Sequence, residues 1–281
     1  MPRKLNINDF RAVRWILKDS DFALVQGPEP PPSDLIEKEV WDGITTLPDD
    51  VAIRTSNHEG GVLKTLYNSW GFWIESLPTT YTKTNRLYMP MRDAAYDFDS
   101  AIFNLLHGFY RQSIDSLRSA LELIAIGACY QLVNDDKEFN QWRSGQLEIS
   151  FRNACDKIMK NTRVDALEKH LLETLKDNMF RQKSGKDPGG WVRRLYKELC
   201  NYVHSRPGFT NGDMWNSNGP IYDKNAVEIS ALFYIETMIT CYFLVKLARP
   251  DFILSSNASD LFDVYNTSTP LIKNIYSYIF T

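Results

Sequence analysis

Histidine and cysteine are scarce in this chain, four of each in 281 residues, and neither type clusters. Cys129, Cys155, Cys200 and Cys241 stand far apart, each in an apolar, helix-like context, and no Cys-x-x-Cys pair exists. That spacing argues against a zinc site and a dithiol redox motif, and suits reduced, buried thiols. No His-Glu-x-x-His set is present, which disfavours a metalloenzyme. A Gly-rich phosphate loop and a Gly-x-Ser-x-Gly elbow are also missing, which removes two common nucleotide-binding and hydrolase signatures. No sign of charge dominates. The net charge of -3 gives no bulk field that would advertise a nucleic-acid or membrane binder, although a local basic patch is compatible with it.

Long apolar runs are nearly absent too. The opening residues MPRKLNINDFRAVRWILKD have no stretch of signal-peptide type, so the expectation is a cytoplasmic protein. The most apolar segment, residues 231–248, approaches the length of a membrane span. It is rich in aromatics and carries Glu236 and Lys246, which favours a buried core helix and no membrane association.

What is present is a sufficiency of apolar side chains, 43% of the chain with 13% aromatic, arranged with helical periodicity. Residues 9–18 fit a short helix behind Asp9, and GPEPPPSD (27–34) breaks it. Ser33 or Asp34 can cap a second helix over LIEKEVWDGI. Residues 45–60 read as loop, and 61–77 as a helix through Leu63, Leu66, Trp70 and Trp73. A polar stretch from Pro78 to Pro90 marks a soft boundary. The tryptophans before it (Trp15, Trp41, Trp70, Trp73) suggest that residues 1–90 form an extension packed on the rest.

From Met91 the pattern is a helical bundle over residues 91–281. Two long helices meet near His107-Gly108. Shorter ones follow over about 138–144, 149–160 and 163–179, and Asp187-Pro188-Gly189-Gly190 then breaks the chain. Helices over WVRRLYKELCNYVHS, 225–248 and PLIKNIYSYIF complete the reading. A long loop near residues 205–223 holds Gly208, Gly212, Gly219 and Trp215. Its Asn-Gly and Gly-Pro pairs predict an ordered loop. No strand alternation or repeat appears, so the expected class is all-α.

Two polar stripes break the apolar pattern. Arg111, Asp115, Arg118 and Glu122 recur at i, i+4, i+7 and i+11. Glu122 sits in an otherwise apolar run, and a buried carboxylate needs a partner, which Arg118 one turn earlier supplies. Arg193, Lys197, Asn201 (or Cys200) and His204 repeat that spacing on a second helix. A histidine at a helix C-terminus feels the negative end of the dipole, which favours imidazolium. Beside cations, it suits phosphate binding or proton transfer to a phosphate oxygen. The same two stripes serve equally as internal ion pairs and as a solvated helix face. Trp215 and Tyr222 suit either base stacking or anchoring of their loop.

The helix GFYRQSIDSLRSALELI (108–124), with its Arg118-x-x-x-Glu122, followed far downstream by LYKELCNYVHSRP (195–207), resembles the HEPN-type helical domains over roughly residues 91–250. That resemblance implies a bundle that dimerises. It also implies, for active members of defence or toxin type, ribonuclease chemistry without metal or other cofactor. The family signature is an arginine, four to six residues, then histidine. His204 matches the histidine, while the arginine position of the longest version is Lys197. Lysine lacks arginine's planar fork, so the pair is incomplete. On this reading RNA is the partner, and a homodimer brings two His204 helices together. His204, Lys197 and Arg193 would be catalytic, and Asn201, Arg118, Glu122, Arg206 and Trp215 would bind. The other class of function is a non-enzymatic helical module that takes a protein partner or small ligand through the loop around Trp215.

Overall fold

The computed structural model describes residues 37–181, 189–203, 220–255, 258, 262 and 269–280. Among these the chain is all helix and turn, with no strand. The helices are α1 (Lys38–Glu75), α2 (Tyr88–Leu106), α3 (Tyr110–Val133), α4 (Asp136–Arg143), α5 (Phe151–Ile158), α6 (Thr162–Leu175), α7 (Trp191–Val203), α8 (Lys224–Ala248) and α9 (Pro270–Phe280). The expected helix over 9–18 and Trp15 lie outside the described residues.

α3 is the axis of the bundle. Its run from Ala120 to Tyr130 is buried on nearly every side except at Glu122 and Leu123. It packs against α2, α8, α7 and α5, so a helix apolar all round is what this position requires. Gly127 lets α2 approach closely, because a Cβ there would lie 2.9 Å from the Pro90 ring and 3.0 Å from Leu87. The α2–α3 corner falls where the sequence places it. Gly108 takes φ +78, a left-handed conformation that glycine adopts without strain.

α8 is long and apolar enough to cross a membrane, and 72% of that apolar window is buried inside the bundle, as its aromatics and charges predict. Trp191 on α7 donates from its indole to Glu236 on α8 at 2.6 Å, which satisfies the carboxylate within this helix.

One segment differs from expectation. Residues 45–60 are helical and belong to α1, with a kink at Glu59 just before Gly60-Gly61. Polar residues disguise the periodicity, yet Val51 and Thr55 are buried one turn apart, and Thr55 satisfies its hydroxyl on the Val51 carbonyl at 2.9 Å. Tertiary packing supplies the stability that local propensity lacks. Farther along α1, Trp70 and Trp73 donate their indole N–H groups to the Ala95 and Met91 carbonyls of α2, both at 3.0 Å. Leu66 and Trp73 thereby share one apolar core with α2, α3 and α8.

Candidate functional site

α7 lies along α3, and Tyr196 and Cys200 are the residues of α7 that meet the Arg118 stripe. From α3, Arg118 reaches Glu122 at 3.3 Å, the pairing their spacing predicts, and Asp115 more loosely at 3.8 Å. From α7, Tyr196 inserts between them. Its hydroxyl accepts from the Arg118 guanidinium at 3.1 Å and donates to Glu122 at 3.2 Å. The Arg118 guanidinium also lies 5.5 Å from the Tyr196 ring centroid, and that ring stacks on Phe151 of α5 at 3.8 Å. Three helices are joined through one phenol.

The electrostatics follow from this closure. Burial works against the Arg118 charge. Hydrogen bonds to Tyr196 and Cys200 and the charge of Glu122 outweigh it, so the guanidinium holds its proton more firmly than usual. Burial, then the Glu122 charge, push the Tyr196 hydroxyl up, so it remains a neutral donor. The cluster is therefore a fixed hydrogen-bonded chain, suited to holding α7 against α3.

Two turns N-terminal to Arg118, Arg111 completes the seam. Its guanidinium donates to the carbonyl of Val203, the last residue of α7, at 2.6 Å. The last carbonyls of a helix lack intrahelical donors and carry the negative end of its dipole, so a cation is well placed there. His204 is the next residue in sequence. His204, Arg206 and Trp215 themselves lie outside the described residues, as does most of the loop around 205–223.

The other expected site residues separate. Arg193 turns inward and is buried. It donates to the Phe180 carbonyl at 2.6 Å and pairs with Asp156 of α5. Asn201 is buried too, donating to Glu198 at 3.2 Å, whereas Lys197 is exposed. Arg193, Lys197 and Asn201 therefore do not share a polar face. An amphipathic reading misses this because buried arginines with full partners look polar in sequence.

The start of α7 is held by a buried carboxylate that the sequence reading passed over. Glu168 of α6 accepts from the backbone N–H groups of Met179 (2.8 Å), Phe180 (3.0 Å) and Arg181 (3.2 Å). Burial raises its affinity for a proton, and the three N–H donors with Arg181 oppose that shift. The carbonyls of this segment receive α7 in turn. Trp191 N–H bonds the Asn178 carbonyl and Val192 N–H the Met179 carbonyl, both at 3.0 Å. Arg193 takes the Phe180 carbonyl.

Near the other end of α7, residues 221–223 dock on α3. The Tyr110 hydroxyl donates to the Ile221 carbonyl at 2.8 Å and accepts from Asp223 N–H at 2.9 Å. Tyr222, a candidate stacking surface in the sequence, stacks on His58 and donates to Glu59 at 2.9 Å, so it anchors its segment to the α1 kink.

Of the cysteines, three are buried and Cys200 is half-buried beside Arg118. Among the described residues no group of three His, Cys, Asp or Glu side chains gathers as a metal-ligand set. Arg111 and Tyr196, like Glu168, are residues that sequence reasoning left without a role. Arg111 had a signal in its stripe, but its partner on α7 depends on how the helices pair. Compared with protein-family models, curated proteins and solved structures, the chain finds no match.

Proposed function

We propose that this protein acts on RNA at the C-terminal end of α7, as a HEPN-like effector of defence or toxin type that needs no metal. The observation that carries the reading is Arg111 at the Val203 carbonyl, 2.6 Å away. The α7 sequence has lysine where the family signature has arginine, and the fold brings an arginine from α3 to the residue before His204. A guanidinium and an imidazole are the minimum pair for phosphodiester cleavage by the neighbouring 2′-hydroxyl, and His204 follows Val203 directly in sequence. The imidazole takes the 2′-hydroxyl proton as the 2′-oxygen bonds to phosphorus and passes it to the 5′-oxygen as the P–O5′ bond breaks, leaving a 2′,3′-cyclic phosphate, and the cation stabilises the charge that builds on the phosphate. Exposed Lys197, two turns back, serves as a phosphate contact. Arg193 supports α7 through Asp156 and Phe180 and takes no part in the chemistry. The Arg118–Tyr196–Glu122 chain keeps α3 and α7 in register, so Arg111 stays at the helix end.

The test is incubation of purified protein with a mixed RNA pool and a chelator. Wild type is expected to cleave, and His204→Ala and Arg111→Gln to lose at least roughly a hundredfold in rate, the scale of general acid–base catalysis. Equal cleavage by all three, or by none, sinks the nuclease reading. Closure of the Arg118 cluster on itself favours a second reading, a helical module that binds without catalysis. Filter retention of RNA by wild type and by His204→Ala alike, with no cleavage, is its signature.

A further inference from the structure

The apolar stripe of α1 runs past the end of the bundle. Val40, Ile44, Leu47 and Val51 recur at i, i+4, i+7 and i+11, so they lie on one side of the helix. Val51 is 3% exposed and fits against the α2–α3 corner, where a Cβ on Gly108 would meet its side chain at 2.9 Å. N-terminal to it, Leu47 is 48%, Ile44 62% and Val40 49% exposed. The stripe that packs at Val51 therefore continues bare. Aliphatic residues at this spacing form a helix face suited to burial, and among the described residues nothing covers it.

This arm of α1 is also strongly acidic. Residues 37–50 hold Glu37, Glu39, Asp42, Asp49 and Asp50 against Lys38 alone. Arg54 pairs with Asp50 at 2.8 Å, and the other four acids form no ion pair with any described residue. A second copy of the arm would set acid against acid, which repels. The occupant has to bring an apolar stripe and net positive charge. Residues 1–36 lie outside the described residues, and their sequence holds such a segment. The helix expected over residues 9–18 has Phe10, Val13 and Leu17 at i, i+3 and i+7. One residue on from each stand Arg11, Arg14 and Lys18, a basic stripe along its edge. With Arg3 and Lys4, residues 3–18 hold five bases against Asp9 alone, the reverse of the arm.

We infer that residues 9–18 cover the Val40–Ile44–Leu47 stripe of the same chain. A helix over those residues is about 15 Å long, close to the rise from Val40 to Val51. Reach is no obstacle. The eighteen residues from 19 to 36 include GPEPPPSD. At about 3.1 Å per residue in extended form they span roughly 55 Å, well past the arm's roughly 20 Å. A tether of this kind holds the segment at about millimolar effective concentration, which a free partner at micromolar levels does not match. Apolar contact supplies the affinity, and the opposite charges select the match. The inference rests on α1 and the N-terminal sequence and does not depend on RNA chemistry.

The experiment is limited trypsin digestion of the full chain read by mass spectrometry, with circular dichroism to confirm folding. Cleavage after Arg11 and Arg14 reports on the cover, and cleavage after exposed Arg54 reports on the arm itself. Ile44→Asp and Leu17→Asp should each speed cleavage at Arg11 and Arg14 by roughly tenfold or more, because a docked segment has to open before the protease can act. Cleavage at Arg54 should stay as in wild type. The double variant should be cut no faster than the singles, since both remove one contact. Wild-type protection should be independent of protein concentration and should weaken as salt screens the charges. Equal rates at Arg11 and Arg14 in wild type and Ile44→Asp would overturn the inference. So would additive effects in the double variant, or protection that grows with concentration, which would assign the stripe to a second copy.

Discussion

Replacing Glu168 with alanine tests whether α7 is held from below. The side chain is fully buried, and its carboxylate accepts three backbone N–H groups from residues 179–181. Truncation leaves those donors without an acceptor, two of them in buried residues, and opens a cavity at the buried side-chain position. Each buried unsatisfied donor costs about 1–3 kcal/mol. Water entering the cavity recovers part of that, so a net loss of roughly 3–5 kcal/mol is expected. Urea denaturation followed by far-ultraviolet circular dichroism would show a lower midpoint at an unchanged slope. In a chain of this size the melting temperature should fall by roughly 10 °C. Glu168→Gln keeps the shape and one acceptor oxygen and should lose about half as much. Because Met179 and Phe180 carbonyls receive Val192 and Arg193, the alanine variant should also expose α7 to amide exchange before α3. A loss under about 1 kcal/mol, or α7 protection equal to wild type, would refute the account of Glu168 as the anchor of α7.

Gly108→Ala places a Cβ 2.5 Å from the Ile221 carbonyl oxygen and 2.9 Å from Val51, at φ +78. The left-handed conformation and the backbone clash together should destabilise by about 3–5 kcal/mol in the same urea assay, and a change under about 1 kcal/mol would contradict the packing of residues 221–223 on this corner. Asp97 lies among Asp93, Asp115 and Ser119, and burial, with the like charges, raises its carboxyl from 3.8 to about 6. A raised folded value means that the native state takes up a proton the unfolded chain does not. The resulting stabilisation is complete below pH 3.8 and is lost as pH rises through 6. Asp97→Asn, which does not titrate, should therefore match wild type near pH 4 and exceed it at pH 7.5 by about 1 kcal/mol, a figure reduced for partial solvent access. Parallel stability–pH curves for the two proteins would exclude the burial argument.

Particular residues show how far the sequence could be read. The α2–α3 corner was legible because a glycine after an amphipathic run has one common use there, as a left-handed link. The Arg118–Glu122 pair was legible because i, i+4 spacing brings charges together whatever surrounds the helix. Residues 45–60 were not. Their threonines and aspartates weaken the local signal, and burial of Val51 and Thr55 against the rest of the bundle decides the helix. Arg193 misled for a related reason. Its i, i+4 spacing to Lys197 suggests a common face, but Asp156 and the Phe180 carbonyl, distant in sequence, draw it inward.

Helix periodicity, turn glycines and the apolar content are local properties, and they determined an all-α bundle with α3 and α8 at its centre. The sequence also marked His204 as the end of a polar helix. Only the packing of α7 along α3 decided that Arg111 stands at that helix end, that Tyr196 joins Arg118 to Glu122, and that Glu168 holds the segment from which α7 starts. These are contacts between residues 11 to 92 positions apart. Their existence depends on which helix faces which, and that is set by the whole core at once.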